Sequence, residues 1–272
     1  MIVKHNMTAL NANRQLGVTN SNLAKSTEKL SSGYRINRAA DDAAGLSISE
    51  KMRGQIRGLN QASTNAQDGQ SLIQTAEGAM GEIHSVLQRM RELTVQAAND
   101  TNVSADRKAI AKEVTALTEE IDRIATQTQF NTMNLLDGNF TKKNLQVGAN
   151  VSQAIEISIA KLTSTGLSVN DIKDKLSSHS EATTAITTVN KAIETVSGQR
   201  SHLGALQNRL DHTIANADNM AENLQSSESK IRDVNMASEM VAYSANSIIQ
   251  QAGQSMLAQA NQATQGVLSL LR

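Results

Sequence analysis

Cysteine, proline and tryptophan are absent from this 272-residue chain, and only two Phe and two Tyr supply aromatic rings. Without cysteine there can be no disulfide, no thiolate nucleophile and no Cys-ligated zinc. The same absence suits an extracellular protein with nothing to oxidise. Proline is the usual punctuation of loops and helix ends, so its absence predicts long uninterrupted helices. Aromatics normally dominate cores and ligand pockets, and at 1 % they argue against a compact enzyme with an apolar pocket. A charge excess is missing too: 26 basic and 26 acidic side chains leave a formal net charge of zero. That argues against a nucleic-acid partner held by bulk charge. No apolar run approaches the ~18 residues of a transmembrane helix, so no membrane insertion is expected. Met1–Asn6 has no apolar signal-peptide core, so the chain either stays in the cytoplasm or leaves by a route needing no cleaved signal.

What is present is a seven-residue repeat. Ile2, Ala9, Leu16, Leu23 and Leu30 share one helical stripe, with Leu10 beside it. Four residues on, the companion positions hold Asn6, Asn13, Asn20 and Thr27. A two-chain coiled coil wants both seam positions apolar, so this helix awaits several neighbours. Gly33 is its stop. Residues 34–42 carry no period and read as an irregular connection, after which Asp41 or Asp42 caps a helix.

From 43 to 98, Met52, Leu59, Ala66, Ile73, Met80 and Leu87 keep a strict heptad, joined by Ala76, Ile83, Met90 and Ala97. The glycines of this stretch each weaken the helix by up to ~1 kcal/mol and mark close helix contacts. Residues 99–103 are a turn, and Ser104 caps a helix carrying Ile110, Val114, Leu117, Ile121 and Ile124. Leu145-Gln146-Val147 and Ala154–Ile159 alternate at period two and are the one β signal. From about 182 the helical period returns through Ile186, Val189, Ile193, Val196, Leu203, Leu206, Leu210 and Ile214. The last segment offers a thin stripe: Val234, Val241 and Ile248, then Met256, Ala263 and Leu270 one residue out of frame. Ala237, Ala245, Ala252 and Ala260 give it small faces. The expected fold is mainly α: a long antiparallel helical bundle or coiled coil with a small β-hairpin region and paired termini.

Several of these stretches are long and specific. Lys29-Leu30-Ser31-Ser32-Gly33-Tyr34-Arg35-Ile36-Asn37-Arg38-Ala39-Ala40-Asp41-Asp42-Ala43-Ala44-Gly45 resembles the N-terminal hallmark of bacterial flagellin. Leu87–Leu93, Gln129-Phe130-Asn131, Gln146–Asn150, Leu203–Leu210, Ile231–Ala237, Met256–Gln262 and Val267–Arg272 are similar to further family motifs, in order. Thr264, Asn235 and Lys230 depart from the usual residues. The outer domains many flagellins insert before the C-terminal helices have no counterpart here. The resemblance implies an axial D0 domain from residues 1–42 and 233–272. It implies a D1 domain from residues 43–180, with the β region, and 181–232.

Candidate chemistry is sparse. The five histidines lack zinc-site spacing and read as exposed helix residues. Asp41-Asp42 reads as a cap, not a catalytic pair, since adjacent side chains diverge. Five Asn-x-Ser/Thr sequences are what chance gives in so polar a chain. No cofactor, metal or enzymatic activity is expected. Gln88, Arg89, Glu92 and Gln96 form a polar ridge. By itself it is a solvated helix face. By resemblance it matches the surface read by the vertebrate flagellin receptor, Toll-like receptor five, with Arg89, Leu93 and Glu113 as contacts and Gln88 beside them.

The leading reading is a subunit of the flagellar filament, secreted without a cleaved signal. Helices with half-made seams need neighbours, and a helical polymer supplies them. The seams offer Ile2, Leu16, Leu23, Leu30, Val241, Ile248, Met256, Leu268 and Leu271 for polymerisation. The resemblance implies further partners: an export chaperone on the last segment, filament cap and hook-junction proteins. A hook–filament junction protein and a signalling coiled coil are the alternatives.

Overall fold

The computed structural model describes residues 6–270, with side chains described as far as Gln262. Helices run over Met7–Ser32 (α1), Ala43–Ala97 (α2), Ser104–Gln127 (α3), His179–Arg232 (α4) and Met236–Leu270 (α5). Four short strands lie between α3 and α4: Gln129–Phe130 (β1), Met133–Asn134 (β2), Lys143–Gln146 (β3) and Ala154–Ile157 (β4). Contacts divide the chain into two compact units. The central unit spans Ile56–Ala221, and the terminal unit joins the chain through Gln55 to the chain from Glu222.

The central unit is a conventional apolar bundle. Along α2, Leu59, Ala66, Ile73, Met80 and Leu87 are buried, as are Ala76, Ile83, Met90 and Ala97. Most of them share one core with Ile110, Val114 and Ile121 of α3 and with Val189, Val196, Leu203 and Leu210 of α4. Leu117, Ile124, Ile193 and Ile214 pack at its margin. Seven-residue spacing keeps these side chains on one face because 3.6 residues make a turn.

The β region holds one pair the period-two pattern predicts and one it does not. β3 and β4 pair antiparallel, with Leu145 opposite Ile155. β1 and β2 form a second antiparallel pair, where the sequence pattern predicts only a helix end. Its turn residues Asn131 and Thr132 sit at φ of 48° and 64°, the left-handed region a two-residue hairpin needs. Strands of two residues have no period to read. The chain from 135 onward then feeds Leu135, Leu136, Phe140, Ile159 and Leu162 into the core.

Local sequence chemistry explains the ends of the helices. Gly33, at φ 75°, stops α1, and its N–H reaches Lys29 O. The two adjacent carboxylates divide their work. Asp42 Oδ1 accepts from Gly45 N at 2.8 Å, capping α2. Asp41 Oδ2 accepts from Arg38 N at 2.9 Å and Asn37 N at 3.1 Å, closing the connection. Those N–H donors, Arg38 first, hold the Asp41 carboxyl below its ordinary value. Ser104 is not the cap of α3. It is the first helical residue, and Val103 N donates to Asp106 Oδ2 at 3.1 Å. Asn235, one of the three departures from the usual motif residues, accepts from Ala237 N at 3.1 Å and starts α5.

The glycines of α2 correct another expectation. Gly45 meets the capping Asp42 and Ile36 in the connection, and beyond it only Gly58 and Gly69 mark close approaches, both facing the β region, not a helix. A Cβ on Gly58 would stand 2.8 Å from Ala149 Cβ, and one on Gly69 2.3 Å from Leu145 Cδ2. Gly54, Gly78 and Gly81 have open space.

In the terminal unit, α1 and α5 run antiparallel. Asn6 Nδ2 donates to Ala260 O at 2.9 Å, and Gln250 Nε2 to Asn20 Oδ1 at 2.8 Å. Lys29 Nζ lies 4.0 Å from Glu239. The seam between them differs from the one the heptad predicts. Ala9, Leu16, Leu23 and Leu30 do turn inward and are half-buried. The companion line lies three residues on, at Ala12, Thr19 and Ser26, while Asn13, Asn20 and Thr27 are exposed. The two fully buried residues of α1 are Thr19 and Ser26.

A polar joint ties the connections of this unit together. Tyr34 and Asp233 form a β-bridge. Val234 N donates to Gly33 O at 3.0 Å, and Arg35 N to Arg232 O at 2.6 Å. The Arg232 guanidinium lies 4.9 Å over the Tyr34 ring and donates from Nη1 to Glu50 Oε1 at 2.9 Å. Nothing in the heptad pattern points to this joint. An Arg and a Tyr beside aperiodic stretches are its only trace.

Candidate functional site

Helix α5 carries its apolar side chains on the wrong side for its partner. The line turned toward α1 is Ala242, Asn246, Gln250, Gly253, Leu257 and Ala260, all half-buried. Apart from Leu257 it is small or polar, which lets α1 come close: a Cβ on Gly253 would meet Leu16 Cδ1 at 3.3 Å. Val241, Ile248 and Met256 point elsewhere, at 70 %, 67 % and 59 % exposure. The thin stripe of the last segment thus forms an outward face. Of the four alanines expected to pack closely, Ala260 alone lies on the α1 side. Ile249 and Met240 are also exposed, as are Met7, Leu10 and Val18 on the far side of α1. Exposed apolar side chains are ordinary one at a time, but a continuous face of them marks an interaction site.

The nine residues that the heptads offer for assembly fall in different places. Leu16, Leu23 and Leu30 lie in the α1–α5 seam, and Val241, Ile248 and Met256 lie on the outward face. Ile2 and Leu271 lie outside the described residues. Leu268 is within α5, outside the described side chains.

The polar ridge belongs to the central unit. Arg89 is half-exposed and reaches from α2 to α3. Its Nε and Nη2 donate to Glu113 Oε1 at 3.0 and 2.9 Å, and its Nη1 to Glu92 Oε2 at 2.9 Å. Glu113 first, then Glu92, raises the guanidinium pKa above its already high value, so Arg89 is a permanent cation. Gln88 is half-buried, with Nε2 3.4 Å from His84 Nε2. Leu93 is a different case. At 2 % exposure it lies in the core, where it packs beneath the ridge and offers no surface of its own. Gln88, Arg89 and Glu113 therefore form the accessible patch. His202 and His212 are exposed on α4, and His179 Nδ1 donates to Ala98 O at 2.6 Å.

Comparison with known proteins accounts for this arrangement. Residues 3–141 match the bacterial flagellin N-terminal helical region, and residues 186–271 the bacterial flagellin C-terminal helical region. A flagellin of Halalkalibacterium halodurans is 55 % identical over 276 residues, covering all of both chains. The flagellar filament 33 kDa core protein of Treponema phagedenis is 51 % identical over 286 residues, again covering both chains completely. A solved structure from Vibrio parahaemolyticus, titled as a putative flagellar hook-associated protein, is 12 % identical with a TM-score of 0.61. It covers 71 % of this chain and 100 % of its own, a likeness of fold alone. With two family regions spanning both its ends and full-length relatives above half identity, the chain belongs to the bacterial flagellins, a family of structural proteins of the flagellar filament and not of enzymes.

Proposed function

We propose that this chain self-assembles outside the cell into the flagellar filament through the outward face of α5. The supporting observation is the exposure of Val241, Ile248 and Met256 on the side of α5 turned from α1. Burying apolar area of this kind is worth ~25 cal/mol per Å², and among the described residues of the terminal unit nothing covers it. A second copy of the chain supplies the cover, through heterologous contacts that repeat as a helical polymer. In this reading D0 is residues 1–42 and 233–272, and D1 is residues 43–180 and 181–232. The export chaperone holds the last segment before secretion, which keeps the same face covered. Cap and hook-junction proteins meet the ends of the polymer. Electron microscopy of the purified protein after addition of filament seeds tests the proposal. Long helical filaments are expected, and soluble dimers or bundles would favour a signalling coiled coil. A hook–filament junction protein would be present at few copies per cell, where a filament subunit numbers thousands.

A second reading concerns recognition. The Arg89 side chain, 51 % exposed, is held over α3 by Glu113, itself 46 % exposed. This pre-set cation, with Gln88 beside it, is the surface the vertebrate flagellin receptor would read on the free subunit. Leu93 contributes by supporting the ridge from below.

A further inference from the structure

Thiols are absent, but sulfur is not: the chain has ten methionines. They fall into distinct environments. Met80 and Met90 are fully buried in the central core. Met7, Met236, Met240 and Met256 are exposed on α1 and α5, at 65 %, 49 %, 48 % and 59 %. Met133 and Met220 are exposed in the central unit. A thioether reacts with oxidants according to its exposure, and its oxide is polar, chiral and poorly suited to an apolar contact. The flexible, polarisable Met side chain is also well adapted to irregular protein surfaces, and there the change costs most.

We propose that Met7, Met236, Met240 and Met256 are an oxidative modification site, for hydrogen peroxide or an alkyl hydroperoxide, whose oxidation blocks assembly of the free subunit. A sulfur lone pair attacks the peroxide oxygen. The S–O bond forms as the O–O bond breaks, the sulfur loses two electrons, and the peroxide leaves as water or an alcohol. The product is a sulfoxide on the exposed surface of α1 at Met7, or of α5, the helix of Val241 and Ile248, at Met236, Met240 and Met256. Oxidation there leaves the central unit folded, since Met80 and Met90 are out of reach. Assembly hides the same sulfurs, so free subunits are vulnerable and finished filaments are protected. The inference rests on the proposed role of the α5 outward face.

The test treats the full-length monomer with hydrogen peroxide, maps sulfoxides by peptide mass spectrometry and measures seeded elongation. Met7, Met236, Met240 and Met256 should oxidise well ahead of Met80 and Met90, and elongation should fall by roughly tenfold or more, as expected when apolar interface side chains become polar. A variant with Met7, Met236, Met240 and Met256 all changed to Leu should elongate after peroxide at its untreated rate. A variant with Met133→Leu and Met220→Leu should stay sensitive. Methionine sulfoxide reductases acting on both epimers should restore the wild type. Undiminished elongation of fully oxidised wild type would overturn the proposal, as would rescue by the Met133 and Met220 changes alone. Untreated wild type run in parallel separates this failure from a failure to polymerise at all.

Discussion

At the scale of single residues, the close neighbours of each side chain decide what a change does. Gly58 and Gly78 lie on the same helix, yet one faces Ala149 and the other open space. Gly58→Ala must push back Ala149, whose Cα stands 3.2 Å from the new Cβ, and should destabilise by ~1–3 kcal/mol. Gly78→Ala only restores helix propensity and should stabilise by up to ~1 kcal/mol. Thermal melting of the two variants should therefore move in opposite directions. Arg89→Ala removes a half-exposed ion pair, and such changes usually shift stability by within ~0.5 kcal/mol. As an interface hot spot, the same Arg is worth ~2 kcal/mol or more, a loss of at least about tenfold in receptor affinity. Leu87→Ala is the control: it opens a cavity in the core and should cost ~2–5 kcal/mol in melting. Unchanged receptor binding by folded Arg89→Ala would leave the ridge a solvated face. Asp41 makes a pH prediction. Its folded pKa lies below the unfolded value of ~3.9, so its support is present above that value. It is lost as pH falls through the lower, folded pKa. The Asn37 and Arg38 amides should lose exchange protection in that acid range, and in Asp41→Asn they should lack this pH dependence.

At the scale of elements, legibility tracks the size of the buried side chains. In α2 and α4 the buried line carries Leu, Ile, Met and Val at intervals between buried alanines, enough for the heptad to mark the buried face. In α5 the line facing α1 is Ala242, Asn246, Gln250, Gly253, Leu257 and Ala260, with one large apolar residue among six, too few for a hydrophobic pattern to mark. The eye goes instead to Val241 and Ile248, which face away. The companion line of α1 is illegible for the same reason, because Thr19 and Ser26 look no more buried than Asn13 and Asn20. Leu93 is legible as apolar, but only the packing of α2 distinguishes a core residue from a contact beside Arg89. Helices paired over a seam of half-buried leucines, small residues and amides gain little against a backbone entropy cost of ~1–2 kcal/mol per residue. Amides of α1 and α5 in the monomer should therefore exchange far faster than those of Ile83 or Leu203, and equal protection would contradict the thin seam. Removing residues 235–272 should abolish filaments while the central unit keeps its melting transition, because α2, α3 and α4 bury one another there.

For the whole molecule, the division of apolar residues between core and surface separates folding from assembly. The central unit closes its own core, while the terminal unit leaves Val241, Ile248 and Met256 on a face it does not use itself. That division is the central claim, and Ile248→Asp tests it most directly. Ile248 is 67 % exposed, so the substitution should leave monomer melting within ~0.5 kcal/mol of wild type. In the polymer it would place an unpaired carboxylate in a buried contact, at a cost of several kcal/mol. Seeded growth followed by electron microscopy should give no elongation beyond the seeds for a monomer that melts normally. Filaments growing from Ile248→Asp at the wild-type rate would contradict the claim that the outward face of α5 is where one copy meets the next.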